Sequence, residues 1–526
     1  MIGALLLAGS LAAAATPCEG LKSLALAGTT ITVAELVQAG PFTPPGPGGA
    51  PPPPAVAGRG QPPAAGGGRG GRGQAPAAPA IMLPAHCRIA AVLKPSSDSE
   101  IEMEAWLPVE GWNGKFQAVG NGGWAGVISY AAMASALQEG YATASTDTGH
   151  KGGNAIFAIG HPEKVVDFAY RAVHETTVKA KALIAAFYDR APRLSYWNGC
   201  STGGRQGLME AQKYPDDFDA ILAGAPANYQ THLHAWDLGV AIPTLKDPAS
   251  AVPAAKLAML NKAVLDACDT RDGVKDGLLN EPRACRFDVA TLLCKGADAE
   301  TCLTAPQLDS VNRMYAPAKT GHGDLIFPGK DPGSETGWTV VSGGAQPPGV
   351  SVGSFQVAYN DVNWDWKTFD LERDLKLVDE KVGSIVNAIS PDLSAFKARG
   401  GKLLMYHGWN DTAISAGNSI NYYSSVLAKM GQKQDNFVRL FMAPGMQHCG
   451  GGPGPSQVNY MGALERWRES NAAPDQLIAS RVTNNRVDMT RPLCPYPQVA
   501  TYKGVGSTND AANFVCKAPV KVNGSN

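Results

Sequence analysis

Two short segments of this chain combine residues that nucleophilic catalysis uses. The segment 199–203 reads Gly-Cys-Ser-Thr-Gly, and His448 directly precedes Cys449. A serine hydroxyl is a weak nucleophile and needs an adjacent base such as histidine. If Cys200 and Cys449 were joined, disulfide geometry would keep their Cα atoms about 4.4–6.8 Å apart. Ser201 would then lie close to His448, so the two segments predict a serine nucleophile with a histidine base.

Ser201 lies in a Gly-x-Ser-x-Gly pattern between a strand-like run, 194–198, and a helix-like run, 203–214. This is the context of a nucleophile elbow, a strained turn whose small flanking residues let the backbone pass closely. The elbow would raise the serine hydroxyl above a sheet edge and direct the N–H of Thr202 towards an oxyanion. The alternative is a glycine-rich helix start with an inert N-cap serine. The flanking strand and helix favour the catalytic interpretation.

The expected chain order after an elbow serine is acid and then histidine. His448 follows the predicted strand 437–441, where a base should project. Asp411 follows the predicted strand 402–406 and would orient the imidazole and stabilise the imidazolium. The alternative for Asp411 is a surface aspartate that caps the next helix. His407 ends the same strand and is interpreted as a structural or substrate-side histidine.

A second oxyanion donor is expected in an early loop that follows a strand. The run Gly-Asn-Gly-Gly at 120–123 directly follows the predicted strand 115–119. The sequence does not separate the two last glycines of this run, so the amides of Gly122 and Gly123 are both candidate donors. Together with the N–H of Thr202 they would form an oxyanion hole.

A separate segment carries oxygen ligands at short spacing. Asp269, Asp272 and Asp276 lie close together, and Gly273 and Gly277 among them permit a tight turn. Carboxylates and backbone carbonyls in a flexible loop suit Ca²⁺. We expect the three aspartates and the carbonyls of Val274 and Leu278 to bind a structural calcium ion. The alternative is a solvated acidic turn, in which the unneutralised carboxylates would repel one another.

The predicted elements alternate between strands and helices around these motifs. This rhythm is typical of a mostly parallel sheet with helices on both faces. The alternation stops near 228 and resumes near 396, so we predict one α/β core, 16–227 and 396–526, with an inserted lid at 228–395. Besides the runs given above, the predicted elements are strands 141–145 and 220–223 and one helix at 165–187.

Composition limits the classes of partner and compartment. A net charge of −1 over 526 residues argues against a nucleic-acid or membrane partner held by charge. Residues 1–15 have the apolar stretch and small-residue end of a signal peptide, a short buried helix being the alternative. The tract 41–79 is rich in Pro, Gly and Arg and predicts disorder. With ten cysteines, an even number, we expect a secreted or periplasmic protein.

Several motifs together resemble the tannase/feruloyl esterase family. They are Ser145–His150, Gly160–Lys164, Tyr196–Gly207, Ala223–Ala227, Gly408–Asp411, His448–Cys449 and the calcium loop. The resemblance extends from Cys18 to Cys516. It implies an α/β-hydrolase core and a large lid that carries Ca²⁺, without an organic cofactor. It also implies the disulfides Cys200–Cys449, Cys268–Cys285, Cys294–Cys302, Cys494–Cys516 and Cys18–Cys87.

The family resemblance implies a secreted serine carboxylesterase that hydrolyses aromatic-acid esters of the feruloyl, hydroxycinnamoyl or galloyl type. Its substrate would be a small aromatic ester, which could be attached to plant polysaccharide or polyphenol. Lid tryptophans (Trp338, Trp364 and Trp366) could line the acyl pocket, with core packing as the alternative. A terephthalate-monoester hydrolase, or another ester hydrolase or acyltransferase on the same triad, is one alternative. An inactive phenolic- or glycan-binding relative is another.

Overall fold

A nine-stranded sheet forms the centre of the protein. The computed structural model describes residues 15–43, 81–344 and 346–519. The strands of this sheet are β1 (Thr29–Val37), β2 (His86–Leu93), β3 (Ile101–Pro108), β4 (Lys115–Val119), β5 (Ala142–Thr146), β6 (Leu194–Cys200), β7 (Ala220–Gly224), β8 (Lys402–Gly408) and β9 (Val438–Ala443). Their spatial order is β1-β2-β3-β5-β4-β6-β7-β8-β9. Pairing is antiparallel from β1 to β5 and parallel from β5 to β9.

Helices and small ladders surround the sheet. The helices are α1 (Tyr130–Gln138), α2 (Pro162–Val166), α3 (Ala172–Tyr188), α4 (Thr202–Lys213), α5 (Gln230–Lys246), α6 (Ala254–Cys268), α7 (Ala305–Tyr315), α8 (Gly349–Tyr359), α9 (Leu371–Val378), α10 (Ser384–Val386), α11 (Ser394–Ala398), α12 (Gly417–Met430) and α13 (Tyr460–Ser470). Short antiparallel ladders join Gly40–Phe42 with Ile81–Leu83, Ala318–Lys319 with Leu325–Phe327, Gln457–Val458 and Arg486–Leu493 with Leu477–Thr483, and Val499–Tyr502 with Phe514–Lys517. None of the helices in the described ranges is both long and apolar enough to cross a bilayer.

The parallel half of the sheet is covered on both faces. Every residue of β5, β7 and β8 is buried, which is the pattern of strands in a parallel sheet enclosed by helices. The carboxyl ends of β6, β8 and β9 consequently lie along one edge. The predicted fold class, a mostly parallel α/β sheet flanked by helices, is confirmed.

A long insertion separates two neighbouring strands of the sheet. β7 and β8 pair in parallel, with Ala220 opposite Lys402, although the seven helices α5 to α11 all lie between them in sequence. The insertion contributes Trp236, Trp338 and Phe355 to a buried apolar cluster, which also contains residues such as Trp124 and Phe168 that precede β7. The residue boundaries of a separate lid stay a prediction.

Two local expectations differ from the structure. The helix predicted at 165–187 is not one regular α-helix: a π-helical turn at Asp167–Arg171 lies between α2 and α3. Arg171 Nε donates to Oδ1 of the buried Asp167 at 2.5 Å within this turn. The predicted disordered tract 41–79 starts too early, because Pro41 and Phe42 pair with a strand. Residues 44–79 of that tract and nearly all of the predicted signal peptide lie outside the described residues.

Five disulfides cross-link the described part of the chain, and they join the pairs that the family resemblance implies. Two of them involve distant segments, Cys200–Cys449 and Cys18–Cys87. The other three close loops of 22 positions or fewer: Cys268–Cys285, Cys294–Cys302 and Cys494–Cys516.

Candidate active site

Ser201 occupies the tight turn between β6 and α4. Its backbone has φ 64° and ψ −123°, a left-handed conformation that costs energy in a non-glycine residue and is concentrated at functional sites. The turn is fixed on both sides, because Ser201 N–H donates to Gly224 at 3.0 Å and its carbonyl accepts from Ala227 at 3.1 Å. The sequence-predicted elbow is therefore present as a strained strand-to-helix turn.

Glycines make this turn possible by allowing backbone to approach backbone. A Cβ placed on Gly199 would lie 2.4 Å from the carbonyl oxygen of Gly203, and one on Gly204 would lie 2.4 Å from that of Gly224. Neither contact is compatible with a side chain. The Gly-x-Ser-x-Gly-Gly run is thus required by the packing of the elbow against β7, independently of any chemistry.

Asp411 and His448 meet at the edge where β8 and β9 end. Nδ1 of His448 lies 2.7 Å from Oδ2 of Asp411. Asp411 also accepts from the backbone N–H groups of Ala413 and Ile414, each at 2.8 Å. This carboxylate is therefore held in one orientation, with one oxygen directed at the imidazole. The geometry is that of an acid that orients a base.

A second histidine binds the same carboxylate, which the sequence analysis did not foresee. Nε2 of the fully buried His407 lies 3.1 Å from Oδ2 of Asp411, and its Nδ1 lies 2.7 Å from Oγ of Ser419. Burial alone would raise the pKa of Asp411. The hydrogen bonds from His407 and His448 outweigh burial, and the pKa of this carboxyl falls well below its ordinary value. The acid consequently stays ionised.

The Cys200–Cys449 disulfide connects the elbow to the loop that carries His448. Its Cα atoms are 5.9 Å apart. Because consecutive Cα atoms are about 3.8 Å apart, those of Ser201 and His448 lie within about 14 Å of each other. The structure therefore brings the predicted nucleophile, base and acid to one edge of the sheet. Their catalytic roles stay predictions.

The glycine loop after β4 is attached to the start of α4. Gly203 N–H donates to the carbonyl of Asn121 at 2.8 Å, and Thr202 Oγ1 donates to that of Gly123 at 2.9 Å. Among the described residues, the N–H groups of Thr202, Gly122 and Gly123 have no hydrogen-bond acceptor. These three amides are therefore free to bind an oxyanion, and their role as oxyanion donors stays a prediction.

Asn121 fixes this loop, and sequence reasoning missed it. Its N–H donates to Oε1 of Gln206 on α4, and its side-chain oxygen accepts from Nε2 of the same glutamine, both at 3.0 Å. Its amide group also donates to the carbonyls of Val127 and Thr146 at 2.8 Å. Asn121 and Gln206 are 85 positions apart in the sequence, so no local sequence pattern predicts their contact.

The insertion contacts both the glycine loop after β4 and the loop after β8 that carries Asp411. The indole N–H of Trp124, beside the glycine loop, donates to Val350 of α8 at 2.8 Å. The side-chain amide of Asn410, beside Asp411, donates to Gly333 at 2.6 Å. Trp338 and Trp364, two of the predicted pocket tryptophans, are buried in the apolar cluster of the insertion. Core packing accounts for these two side chains.

The predicted calcium loop supplies oxygen atoms, but its carboxylates do not converge as a trio within 4.8 Å. Both oxygens of Asp269 accept backbone N–H groups of the loop, and Asp276 pairs with Arg491 at 2.5 Å. Burial, followed by the charge of Asp276, raises the pKa of Asp272 to about 6, against the opposing effect of the nearby Arg491.

Other oxygen atoms of this loop lack donors. The carbonyls of Val274 and Leu278 accept no hydrogen bond from any described residue. The side-chain oxygen of the buried Asn280, two positions further on, has no partner either. A hard cation prefers such carboxylate and carbonyl oxygens. The donor set therefore fits Ca²⁺.

Comparison with known proteins gives a consistent result. The family described as "Tannase and feruloyl esterase" matches residues 87–517. An esterase of Xanthomonas campestris described as uncharacterized is 37% identical and covers 98% of this chain and 93% of its own. The Aspergillus terreus protein named "Probable feruloyl esterase B-2" is 35% identical, over 82% of this chain and 86% of its own. The crystal structure of feruloyl esterase B from Aspergillus oryzae superposes with a TM-score of 0.84 at 31% identity, covering 95% of this chain and 99% of its own.

Proposed function

Because this chain belongs to the tannase and feruloyl esterase family, whose members act on aromatic esters, we propose that it is a serine carboxylesterase. Its preferred substrates would be feruloyl, hydroxycinnamoyl or galloyl esters. The observation that carries this proposal is the contact between Nδ1 of His448 and Oδ2 of Asp411, at 2.7 Å. This contact lies at the sheet edge where the strained Ser201 turn also ends a strand.

In the proposed reaction the Ser201 hydroxyl attacks the ester carbonyl while Nε2 of His448 accepts its proton. Asp411 holds the imidazole in the required tautomer and stabilises the imidazolium. The negative charge that develops on the carbonyl oxygen is bound by the N–H of Thr202 and by those of Gly122 and Gly123. The C–O bond to the alcohol then breaks, and the alcohol leaves with the proton from His448. The product is an acyl-enzyme on Ser201.

Hydrolysis completes the cycle by the same groups. His448 removes a proton from water, which attacks the acyl-enzyme and releases the aromatic acid. If an alcohol replaced water, the result would be acyl transfer, so this alternative shares every residue. The buried, ionised Asp411 makes a catalytically inactive binding protein the less favoured alternative, because a binder has no need of an oriented imidazole.

We also propose that the loop from Asp269 to Leu278 binds Ca²⁺ as a structural ion. Asp269, Asp272 and Asp276 would supply carboxylate oxygens, and Val274 and Leu278 would supply carbonyls. The ion would neutralise the loop's charge. The protein would be secreted or periplasmic, because five disulfides suit an oxidising compartment.

The experiment that tests the function is an ester panel on purified, oxidised protein, combined with fluorophosphonate labelling. The panel contains methyl hydroxycinnamates, methyl gallate and mono(hydroxyethyl) terephthalate, and kcat/KM identifies the preferred acyl group. Ser201→Ala should abolish both turnover and labelling. The matched control Ser135→Ala, which removes an exposed hydroxyl on α1, should change neither. Turnover that survives in Ser201→Ala would refute the proposal.

A further inference from the structure

A second group of potential metal ligands lies at the far end of the elbow helix. It consists of His174 on α3, Glu210 on the last turn of α4 and Asp217 in the following loop. Each offers a ligand atom, and these atoms all lie within 4.8 Å of one another. In the part of the chain that the structure describes, no other three His, Cys, Asp or Glu residues meet in this way. Nothing in the esterase chemistry uses these residues.

Glu210 is the residue that requires an explanation. Its side chain is 1% exposed, and neither carboxylate oxygen has a hydrogen-bond partner among the described residues. Burying a carboxylate without a partner is strongly unfavourable, and an unsatisfied buried polar group in a native protein is rare. The carboxylate points towards His174 and Asp217. A cation or a proton that binds the carboxylate oxygens is therefore expected between the three side chains.

The surrounding contacts hold the other two ligands in place. The His174 ring stacks on Tyr214, with centroids 3.8 Å apart and planes at 9°, and its Nδ1 lies 2.7 Å from Oδ2 of Asp217. The backbone N–H of Asp217 donates to Tyr214 at 3.0 Å. The His174 side chain is 28% exposed, so an ion can enter from solvent past the imidazole.

A partly buried cation, Lys181, lies near the site but forms no hydrogen bond with Glu210. The ammonium group of Lys181 on α3 donates to the backbone carbonyls of Asp216 and Asp217. Its positive charge acts on both Asp217 and Glu210, but neither carboxylate oxygen of Glu210 has a hydrogen-bond partner among the described residues. Glu210 is therefore the one of the three side chains that lacks a hydrogen-bond partner among the described residues, while Asp217 keeps its contact with His174.

We propose that His174, Glu210 and Asp217 bind a divalent transition-metal ion of the zinc type. One imidazole and two carboxylates are a suitable zinc donor set, with ligand distances of about 2.0–2.2 Å and water in a fourth position. Two ligands of one ion lie up to about 4 Å apart on that basis, so small side-chain movements complete the site. The ion would tie α3 to the end of α4, the helix that starts beside Ser201. A proton shared between Glu210 and Asp217 is the alternative occupant.

The test is a titration of the calcium-saturated protein, freed of transition metals, with Zn²⁺ by calorimetry and with Co²⁺ by visible absorption. Wild type should bind one equivalent of Zn²⁺ and develop Co²⁺ d–d bands. Glu210→Gln, a neutral near-isostere, and His174→Ala should each weaken Zn²⁺ binding at least tenfold. The control His161→Ala removes an exposed imidazole that also lies 3.0 Å from a carboxylate, Asp98, and should bind like wild type.

Two results would overturn the proposal. One is the absence of saturable Zn²⁺ binding to wild type, which would leave the shared proton as occupant. The other is equal affinity in wild type and His174→Ala, a variant expected to fold because its side chain is partly exposed. A Zn²⁺-dependent rise in Tm should accompany binding in wild type and the control only. These readouts do not involve turnover, so they stand apart from failure of the proposed esterase.

Discussion

Cys200 and Cys449 are 249 positions apart in the sequence, and a disulfide brings their Cα atoms to 5.9 Å. Cys200 is the last residue of β6, and Cys449 lies in the loop after β9. Ser201 and His448 are their direct chain neighbours. The bond therefore connects, across β7 and β8, the two loops that carry the proposed nucleophile and base. Cys449, like Ser201, has a positive φ, 62°, so both sides of the link are constrained.

Removal of this disulfide should lower activity by more than the accompanying loss of stability would explain. We expect Cys200→Ala/Cys449→Ala to lower kcat/KM about 10²-fold, the size of effect that a displacement of about 1 Å has on a catalytic group. The measurement is steady-state hydrolysis of the preferred ester, well below the Tm of the variant. The matched control Cys294→Ala/Cys302→Ala opens an 8-position loop in the insertion and should retain turnover. Equal activity of the two double variants would contradict the positioning role.

The two histidines on Asp411 should differ in importance. We expect Asp411→Asn to lower kcat about 10³–10⁴-fold, because the amide cannot hold the catalytic imidazole in the right tautomer. His407→Asn removes only one of the donors to this carboxylate and should lower kcat much less, roughly tenfold, by loosening its orientation. Single-turnover kinetics would separate this from substrate binding. A larger loss in His407→Asn than in Asp411→Asn would reverse the assignment.

Much of the sheet could be predicted from the sequence because its parallel strands are short, largely apolar and mostly buried. The predicted strand 115–119 has the observed bounds of β4, and β7 differs from its prediction by one residue. β1 could not be predicted, because it is an edge strand with only one buried residue among its nine. The partner of β1, β2, lies beyond the Pro/Gly-rich tract in the sequence. The pairing of β1 with β2 is therefore a long-range contact that no local pattern specifies.

In the candidate site, too, some features could be predicted from the sequence and others depend on long-range contacts. Ser201, Asp411 and His448 each follow a recognisable strand, so their common location follows from parallel topology. The contact of His407 with Asp411 depends on the fold of the loop between them, which no periodicity specifies. The bond between Asn121 and Gln206 spans 85 positions. Such contacts follow only from the assembled structure.

Calcium removal should destabilise the protein reversibly. We expect chelation to lower the Tm by several degrees, because a ligand at 100 times its Kd stabilises the native state by about 2.7 kcal/mol. Added Ca²⁺ should restore the Tm in wild type and have no effect in Asp272→Asn. The control Asp288→Asn removes an exposed carboxylate outside the loop and should keep the calcium response. A Tm that is insensitive to chelation in wild type would count against a bound ion.

Substitution by alanine should destabilise the protein at one glycine of the candidate oxyanion loop and leave its stability unchanged at another. A Cβ on Gly120 would lie 2.5 Å from Cα of Gly203, so Gly120→Ala must separate the loop from α4. We expect a loss of about 1–3 kcal/mol in unfolding free energy, together with a fall in kcat. Gly122 has open space at the same position, and Gly122→Ala should keep the wild-type Tm. Thermal unfolding of both variants checks this, and equal Tm values would refute the packing argument.

Asp147 should make stability depend on pH. It is 1% exposed, and burial raises its pKa to about 7 despite the N–H groups of Gly149 and Glu102 and the nearby Lys151. Between pH 4 and 7 the folded protein therefore holds a proton that the unfolded chain has lost, so this group lowers stability as pH rises. Asp147→Asn lacks the titration and keeps an oxygen for the same N–H groups. Between pH 4 and 8, the free energy of unfolding of this variant should rise by up to about 4 kcal/mol relative to wild type. Urea unfolding measures this difference. The control Asp216→Asn changes a 93% exposed side chain and should not show this trend. A constant difference across this range would show that Asp147 is ionised throughout.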